Sequence, residues 1–363
     1  MAKIILLAFV CFSVSFCSAH STEVTVLNKD VSSFSRVQFN NSFLVRFSFR
    51  SQQTRGRWMR AEFIRPSAGV ETDYELRFLD SDGVVLLQYN SRAITVGSNS
   101  VWRSPVIFAN EVTVEVESPV VLPPNTLILS KFIYWTDPGH GLSVTGKDER
   151  RKAWEFDDTS AMRSYIKPVS YISYEGDDGD FYDCTGFISE SGLLLTNNHC
   201  INSTRECSSA SIVFGYEAIS SDTDIYSCKR IACTDEHLDY ALIELDRPAS
   251  IAWGTLKLGS SDVKGDRLAL IQSPDGRPLE ISEVGCEIHD LGTAGQPALA
   301  DYIAHSCDSE GGASGSPLIS LASGAVVGLH QHGFNDEIST LKEFNRAVRI
   351  EAIKEHIKEC LSR

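Results

Sequence analysis

Three short segments in the second half of the chain hold residues able to do covalent chemistry. They are Thr196-Asn197-Asn198-His199-Cys200, Leu238-Asp239-Tyr240-Ala241-Leu242 and Gly312-Ala313-Ser314-Gly315-Ser316-Pro317. A serine hydroxyl stays protonated at neutral pH and is a poor nucleophile alone. It attacks a carbonyl when a neutral imidazole takes its proton and a carboxylate holds that imidazole in the right tautomer. His199, Asp239 and Ser314 supply those types at compact spacings, 239 − 199 = 40 and 314 − 239 = 75 residues. Gly312 and Gly315 let the backbone turn tightly, so the amides of Gly312 and Ser314 can converge on one point. Two such donors would form an oxyanion hole, commonly the largest single contribution to acyl transfer. Ser316 is the nearest rival nucleophile but lacks glycines on both sides.

Strands must position these groups. The apolar run Gly192-Leu193-Leu194-Leu195-Thr196 places His199 at a strand end facing a cleft. Asp239 opens Tyr240-Ala241-Leu242-Ile243, a run that buries its carboxylate near the imidazole. From about residue 160 the chain reads as short strands and turns. It closes in Arg346 to Arg363, where Ile350, Ile353, Ile357 and Leu361 fall at helical spacing.

Residues 20–136 also alternate like half-buried strands. Phe43, Val45, Phe47 and Phe49 point one way and Arg46, Ser48 and Arg50 the other, while Asp80-Ser81-Asp82-Gly83 marks a hairpin. Val112, Val114 and Val116 alternate with Thr113, Glu115 and Glu117. An antiparallel β-sandwich is expected here. Trp58 and Trp102 would suit a binding face if exposed, although core packing is the commoner fate of tryptophan. Residues 137–159 read as a linker, with Lys147-Asp148-Glu149-Arg150-Arg151-Lys152 as a solvated connector or a processing site after Arg151 or Lys152.

Residues 1–19 have the make-up of a secretory signal. Lys3 is followed by the apolar stretch Ile4 to Phe16 and then by Cys17-Ser18-Ala19. Their removal takes one Lys from the 33 basic residues against 48 acidic ones, so 32 − 48 = −16. No basic stripe is present, which argues against nucleic acid as a partner. No later run approaches a membrane span. Eight cysteines follow residue 19: Cys184, Cys200, Cys207, Cys228, Cys233, Cys286, Cys307 and Cys360. An even count confined to one half of an exported chain reads as disulfides stapling one domain. Asn40 and Asn202 head glycosylation sequons.

Taken together, residues 160–363 resemble a trypsin-like serine protease of the chymotrypsin fold. Ser314-Gly315-Ser316-Pro317 and Val327-Gly328-Leu329-His330 are more similar to bacterial-type glutamyl and lysyl endopeptidases than to digestive trypsins. Gln272-Ser273-Pro274-Asp275-Gly276 resembles a Pro-Gly loop of that branch. The resemblance implies two six-stranded barrels with the triad between them, a C-terminal helix, and a Cys184–Cys200 disulfide beside the histidine. Cys286 with Cys307 is the expected second bridge; pairing among the other four is left open. The whole chain is thus expected to be all-β: an N-terminal antiparallel β-sandwich, then a double β-barrel of chymotrypsin type with a C-terminal helix.

One departure from the family concerns activation. Trypsins carry an aspartate immediately before the nucleophile, which pairs with a freshly cut N-terminus; here Ala313 stands there. Activation by N-terminal insertion is therefore not expected.

Primary specificity has two readings. Asp308, six residues before Ser314, would favour Lys or Arg at P1 if it lies at the pocket base. His330 matches the histidine with which glutamyl endopeptidases hold an acidic side chain. Protonated, and helped by Ser309, it would attract Glu or Asp. The balance leans to basic P1.

No cofactor or metal is expected. His330-Gln331-His332 could place two imidazoles on one strand face but lacks a third ligand, and Glu175 to Asp180 reads as a solvated acidic loop before a calcium site. The expected partners are protein or peptide substrates of a secreted, monomeric endopeptidase. The N-terminal domain would be a propeptide, a targeting module or an appendage. The rival function is a silent homologue that binds or adheres through that domain.

Overall fold

In the computed structural model the described residues are 21–31, 34, 36–39, 42–50, 56–64, 72–91, 101–104, 107, 111–136, 143–144, 147–177, 181–218, 223–260, 264–292, 301–333 and 344–362. The expected signal at 1–19, Asn40, and Asp178 to Asp180 of the acidic loop lie outside them. The chain divides into two compact units, the first ending at residue 138 and the second starting at 139.

The first unit is built from β1 (Ser21–Asp30), β2 (Arg36–Phe39), β3 (Ser42–Arg50), β4 (Gly56–Ile64), β5 (Glu75–Leu79), β6 (Val85–Asn90), β7 (Val101–Arg103), β8 (Glu111–Ser118) and β9 (Ile128–Thr136). These form two antiparallel sheets, β1-β9-β4-β7 and β2-β3-β8-β5-β6. The alternation seen in the sequence sets the faces. Val112, Val114 and Val116 are wholly buried. Aromatic contacts join the sheets: Phe49 stacks on Phe132 at 4.2 Å, and Phe63 meets Phe78 edge-on at 6.3 Å. Trp102 packs into this cluster, 6% exposed, and so belongs to the core and not to a binding face.

The second unit begins with β10 (Arg151–Lys152) and α1 (Met162–Ile166). It continues through β11 (Val169–Glu175), β12 (Phe181–Ile188), β13 (Leu194–Thr196), α2 (Thr204–Ser209), β14 (Ser211–Phe214), β15 (Asp224–Asp235), β16 (Tyr240–Leu245) and α3 (Ser250–Trp253). Then follow β17 (Leu268–Gln272), β18 (Glu280–Ser282), β19 (Ile288–Leu291), β20 (Tyr302–His305), β21 (Pro317–Ser320), β22 (Val326–His332), β23 (Asn345–Arg349) and α4 (Ile350–Leu361). Strands β11-β12-β13-β16-β15-β14 close into a barrel, and β10-β18-β17-β21-β22-β23-β20-β19 curl as one open sheet. This is the double-barrel architecture.

Two elements differ from the sequence reading. The charged run is solvated only in its first half: Lys147 to Glu149 are exposed, whereas Arg150 to Lys152 are partly buried. Arg151 and Lys152 pair with β18, and the Ala153 N–H donates to the Leu279 carbonyl. The terminal helix starts at Ile350, the first residue of the periodic set, and not at Arg346, because Asn345 to Arg349 is a strand held between β20 and β22. Backbone pairing on both sides outweighs local helix propensity there. The helix then buries Ile350 and Ile353, whereas Leu361 stays 51% exposed.

Four disulfides staple this unit: Cys184–Cys200, Cys207–Cys228, Cys233–Cys360 and Cys286–Cys307. Cys233–Cys360 ties α4 to β15 across a sequence separation of 127. A crosslink over so long a loop restricts the unfolded chain strongly. Cys360→Ser with Cys233→Ser is therefore expected to lower stability by about 2–5 kcal/mol. Denaturant unfolding in non-reducing buffer checks this; an unchanged midpoint would show that α4 is held by packing alone.

Candidate active site

Strand β13 delivers its last residues to the face between the barrels. Asn197, fully buried, donates from Nδ2 to the Asp239 carbonyl at 2.8 Å. His199 follows in the turn that Cys200 pins to β12. Asp239 closes the turn ahead of β16 with φ 43°, in the left-handed region that aspartate tolerates better than most residues. Its Oδ1 accepts the His199 backbone N–H at 2.9 Å, and Oδ2 faces His199 Nδ1 at 2.8 Å.

Asp239 is 5% exposed, so burial opposes its charge. The His199 imidazole, its hydrogen bonds and one from the Gln331 side chain outweigh that and hold the carboxyl below its ordinary range. An ionised Asp239 keeps the proton on Nδ1, which leaves the Nε2 lone pair as the base. Gln331 is a positioning group that sequence reasoning missed. Its Oε1 accepts from Arg346 Nε at 3.0 Å. Its only signal in the chain is its place between two histidines.

The Ser314 turn depends on two glycines. At Gly312, φ 82°, a Cβ would lie 2.7 Å from the Ser273 carbonyl oxygen; at Gly315, φ 85°, it would lie 2.1 Å from that of Thr185. Neither site admits a side chain. Thr185 Oγ1 donates to the Gly312 carbonyl at 2.8 Å, the Thr185 N–H to that of Ser314 at 2.8 Å, and the Gly315 N–H to that of His330 at 2.9 Å. The N–H groups of Gly312 and Ser314 have no acceptor among the described residues. The Ser314 hydroxyl donates to the Gln331 carbonyl at 3.3 Å, a long bond that is easily exchanged. Ser316 is buried and its Oγ is unpaired.

Asp308 and Ser309 are 5% and 1% exposed. Asp308 Oδ2 accepts the Glu149 N–H at 3.2 Å, and Ser309 exchanges two backbone hydrogen bonds with Ser143. His330 is 2% exposed, with Nδ1 at 3.1 Å from His305 Nε2. Burial, then the neighbouring imidazoles, push His330 well below its ordinary pKa, and His305 down to about 3. Burial thus works against the protonated form of His330 that would hold an anion. Its Nε2 has no partner among the described residues.

The register of β22 against β23 shifts between His330 and His332, so these two imidazoles do not share a face. His332 instead stacks on His199, ring centroids 5.5 Å apart and planes 13° apart. Ligand atoms of His199, Asp239 and His332 lie within 4.8 Å of one another, a grouping not visible in the sequence. Near-parallel rings do not aim two lone pairs at one ion, and Asp239 is already committed to His199. Asn202 is exposed beside the capping box of α2.

Residues 184–329 match the trypsin-like peptidase domain. The match spans less than half of the chain and supports a peptidase. The chain is also 32% identical over 209 residues to "Secreted RxLR effector protein 73" of Plasmopara viticola, covering 52% of this chain and 51% of that protein. It is 28% identical over 180 residues to "Uncharacterized protein y4fB" of Sinorhizobium fredii (strain NBRC 101917 / NGR234), covering 44% and 26%. The chain thus spans about half the length of the first relative and a quarter of the second. Among solved structures, an HtrA-type protease with a tripeptide aligns at TM-score 0.43 and 17% identity, over 56% of this chain and 64% of that one. The Rv3671c protease from M. tuberculosis, active form, aligns at TM-score 0.43 and 16% identity, over 55% and 84%.

The buried histidine pair makes a testable link to stability. An imidazole whose folded pKa is depressed contributes stability that is full above the unfolded value, near 6.5, and is lost as pH falls toward the folded value, about 3 for His305. Each such group is expected to cost about 1.4 kcal/mol per pH unit across that window. Denaturant unfolding at pH 7, 6, 5 and 4 should show a shallower acid slope for His305→Gln than for the parent. Parallel slopes would mean that the pair does not stay neutral.

Proposed function

We propose that the second unit is a secreted serine endopeptidase that works through an acyl-enzyme. The observation that carries this is Gln331, which joins the buried Asp239–His199 pair through its side chain to the Ser314 hydroxyl through its carbonyl, beside a glycine-bounded turn whose Gly312 and Ser314 amides have no acceptor among the described residues. In this reading Ser314 Oγ attacks the scissile carbonyl carbon as His199 Nε2 takes its proton. The carbonyl electrons move to an oxyanion held by the Gly312 and Ser314 N–H groups. Collapse expels the amine, which takes the proton from His199. Water then enters by the same route, with His199 again as base, and hydrolysis of the ester frees Ser314. Asp239 holds the tautomer and stabilises the imidazolium throughout.

Asp308 supports cleavage after Lys or Arg, because a buried carboxylate pairs best with a cation. His330 supports a second reading, cleavage after Glu or Asp, since a neutral imidazole whose Nδ1 faces His305 can still donate from Nε2. That would place the chain in the glutamyl branch. Export is supported by four disulfides, which persist in oxidising compartments, and by a relative whose name calls it secreted. The first unit is read as a propeptide or targeting module. The rival, a silent homologue, would keep this geometry without an activated serine.

A fluorophosphonate probe separates the two readings. The parent should label on Ser314 and Ser314→Ala should not, with kcat/KM falling on the order of 10⁴-fold or more. Absence of labelling in the folded parent would favour the silent homologue. P1 profiling on a peptide library should show Lys or Arg; Glu or Asp would move the pocket to His330.

A further inference from the structure

The residue before the nucleophile is Ala313, fully buried and uncharged. It cannot anchor the oxyanion turn electrostatically, yet the turn is held. We propose that Arg150 is a positioning residue which, through Glu310, locks the Glu310-to-Ser314 turn in its oxyanion-binding form, so that a guanidinium inside the chain does the work of an inserted chain terminus. This rests on the serine endopeptidase reading.

Glu310 opens the turn, its carbonyl accepting the Ala313 N–H at 3.1 Å. Its Oε2 accepts Arg150 Nη1 at 2.9 Å and Arg277 Nη2 at 2.5 Å. One residue on, the Gly311 carbonyl takes the Asp275 N–H at 2.6 Å. Two basic groups thus pull on the side chain that starts the turn while the 273–277 loop holds its backbone. A rotated Gly311–Gly312 peptide would withdraw one oxyanion donor.

Arg150 is itself fixed. Its side chain is 5% exposed, and Nη2 and Nε donate to Asp148 at 2.7 and 3.0 Å. Glu280 lies 3.6 Å from Nε and is shared with Lys152 and Arg277. Burial penalises the guanidinium charge, but Asp148, Glu280 and Glu310 reverse that and raise its pKa. A partner removed from such a cluster leaves a buried charge uncompensated, so the geometry is strongly enforced.

The segment that carries Arg150 is seated at two further points, the Ser143–Ser309 exchange and the Glu149 N–H to Asp308. Ser143 and Glu149 thus tie the segment to Ser309 and Asp308, just ahead of Glu310. Maturation that cut after Arg151 or Lys152 would break the β10–β18 pairing beside this anchor.

The test uses the full chain, purified as secreted, with Arg150→Ala, Arg150→Lys and the isosteric Glu310→Gln. Removing an oxyanion donor typically costs about 10²–10³ in kcat. Arg150→Ala is expected to lose roughly 10²-fold in kcat with KM nearly unchanged. Millimolar guanidinium should restore much of that loss, and Arg150→Lys should fall between. Glu310→Gln should lose kcat in the same way, and decides the matter if Arg150→Ala does not fold. A folded Arg150→Ala with parental kcat, or a loss that guanidinium does not relieve, overturns the proposal while the parent's activity still supports the protease reading. A parent that neither cleaves nor labels overturns both.

Discussion

The buried carboxylate of Asp239 is the constraint around which the second unit is arranged. An isolated carboxylate removed from water would take up a proton and lose its function. Here both oxygens are occupied by His199, one through its backbone N–H and one through its ring, and Gln331 adds a third donor. These bonds come from three places in the chain: the turn after β13, the turn before β16 and the end of β22. Each must be exact for the charge to persist, so the two barrels cannot be placed independently. The left-handed backbone of Asp239 is a local cost accepted for the same reason.

Burial of charge recurs on the far side of the nucleophile with a different solution. Around Asp239 a single anion is satisfied by three donors: the His199 backbone N–H, the His199 ring and the Gln331 side chain. Around Glu310 alternating cations and anions satisfy one another, with Arg150 and Arg277 set against Glu280, Glu310 and Asp148. The first arrangement leaves a ring nitrogen with a usable lone pair. The second locks each charge against its neighbours, which suits a support whose only task is to stay still.

The fold was legible wherever hydrophobic alternation was strong. Val112, Val114 and Val116 announced a buried strand face, and the apolar runs before His199 and after Asp239 announced the strands that present them. Arg346 to Arg349 belong to a strand and not to the helix, since pairing with β20 and β22 leaves no trace in an isoleucine spacing that begins at Ile350. The second half of the charged run at 147–152 escapes composition for a related reason. Six charged residues in a row look solvent-seeking, whereas Glu310, Glu283 and Glu280, the partners of Arg150, Arg151 and Lys152, lie more than a hundred positions away. Long-range charge pairing leaves no local trace in a sequence.

The candidate site shows the same limit more sharply. Residue types single out His199, Asp239 and Ser314 as candidates, since a serine nucleophile, its base and the base's carboxylate come in recognisable settings. Types could not say which way each imidazole of His330-Gln331-His332 points. A slip of register in β22 sends His330 into the core against His305 and His332 over His199. A strand read as regular would have put both on one face, so one irregular position changes the chemistry on each side of it. Burial of His330 disfavours its charged form, so a directed hydrogen bond is the interaction its ring can best offer.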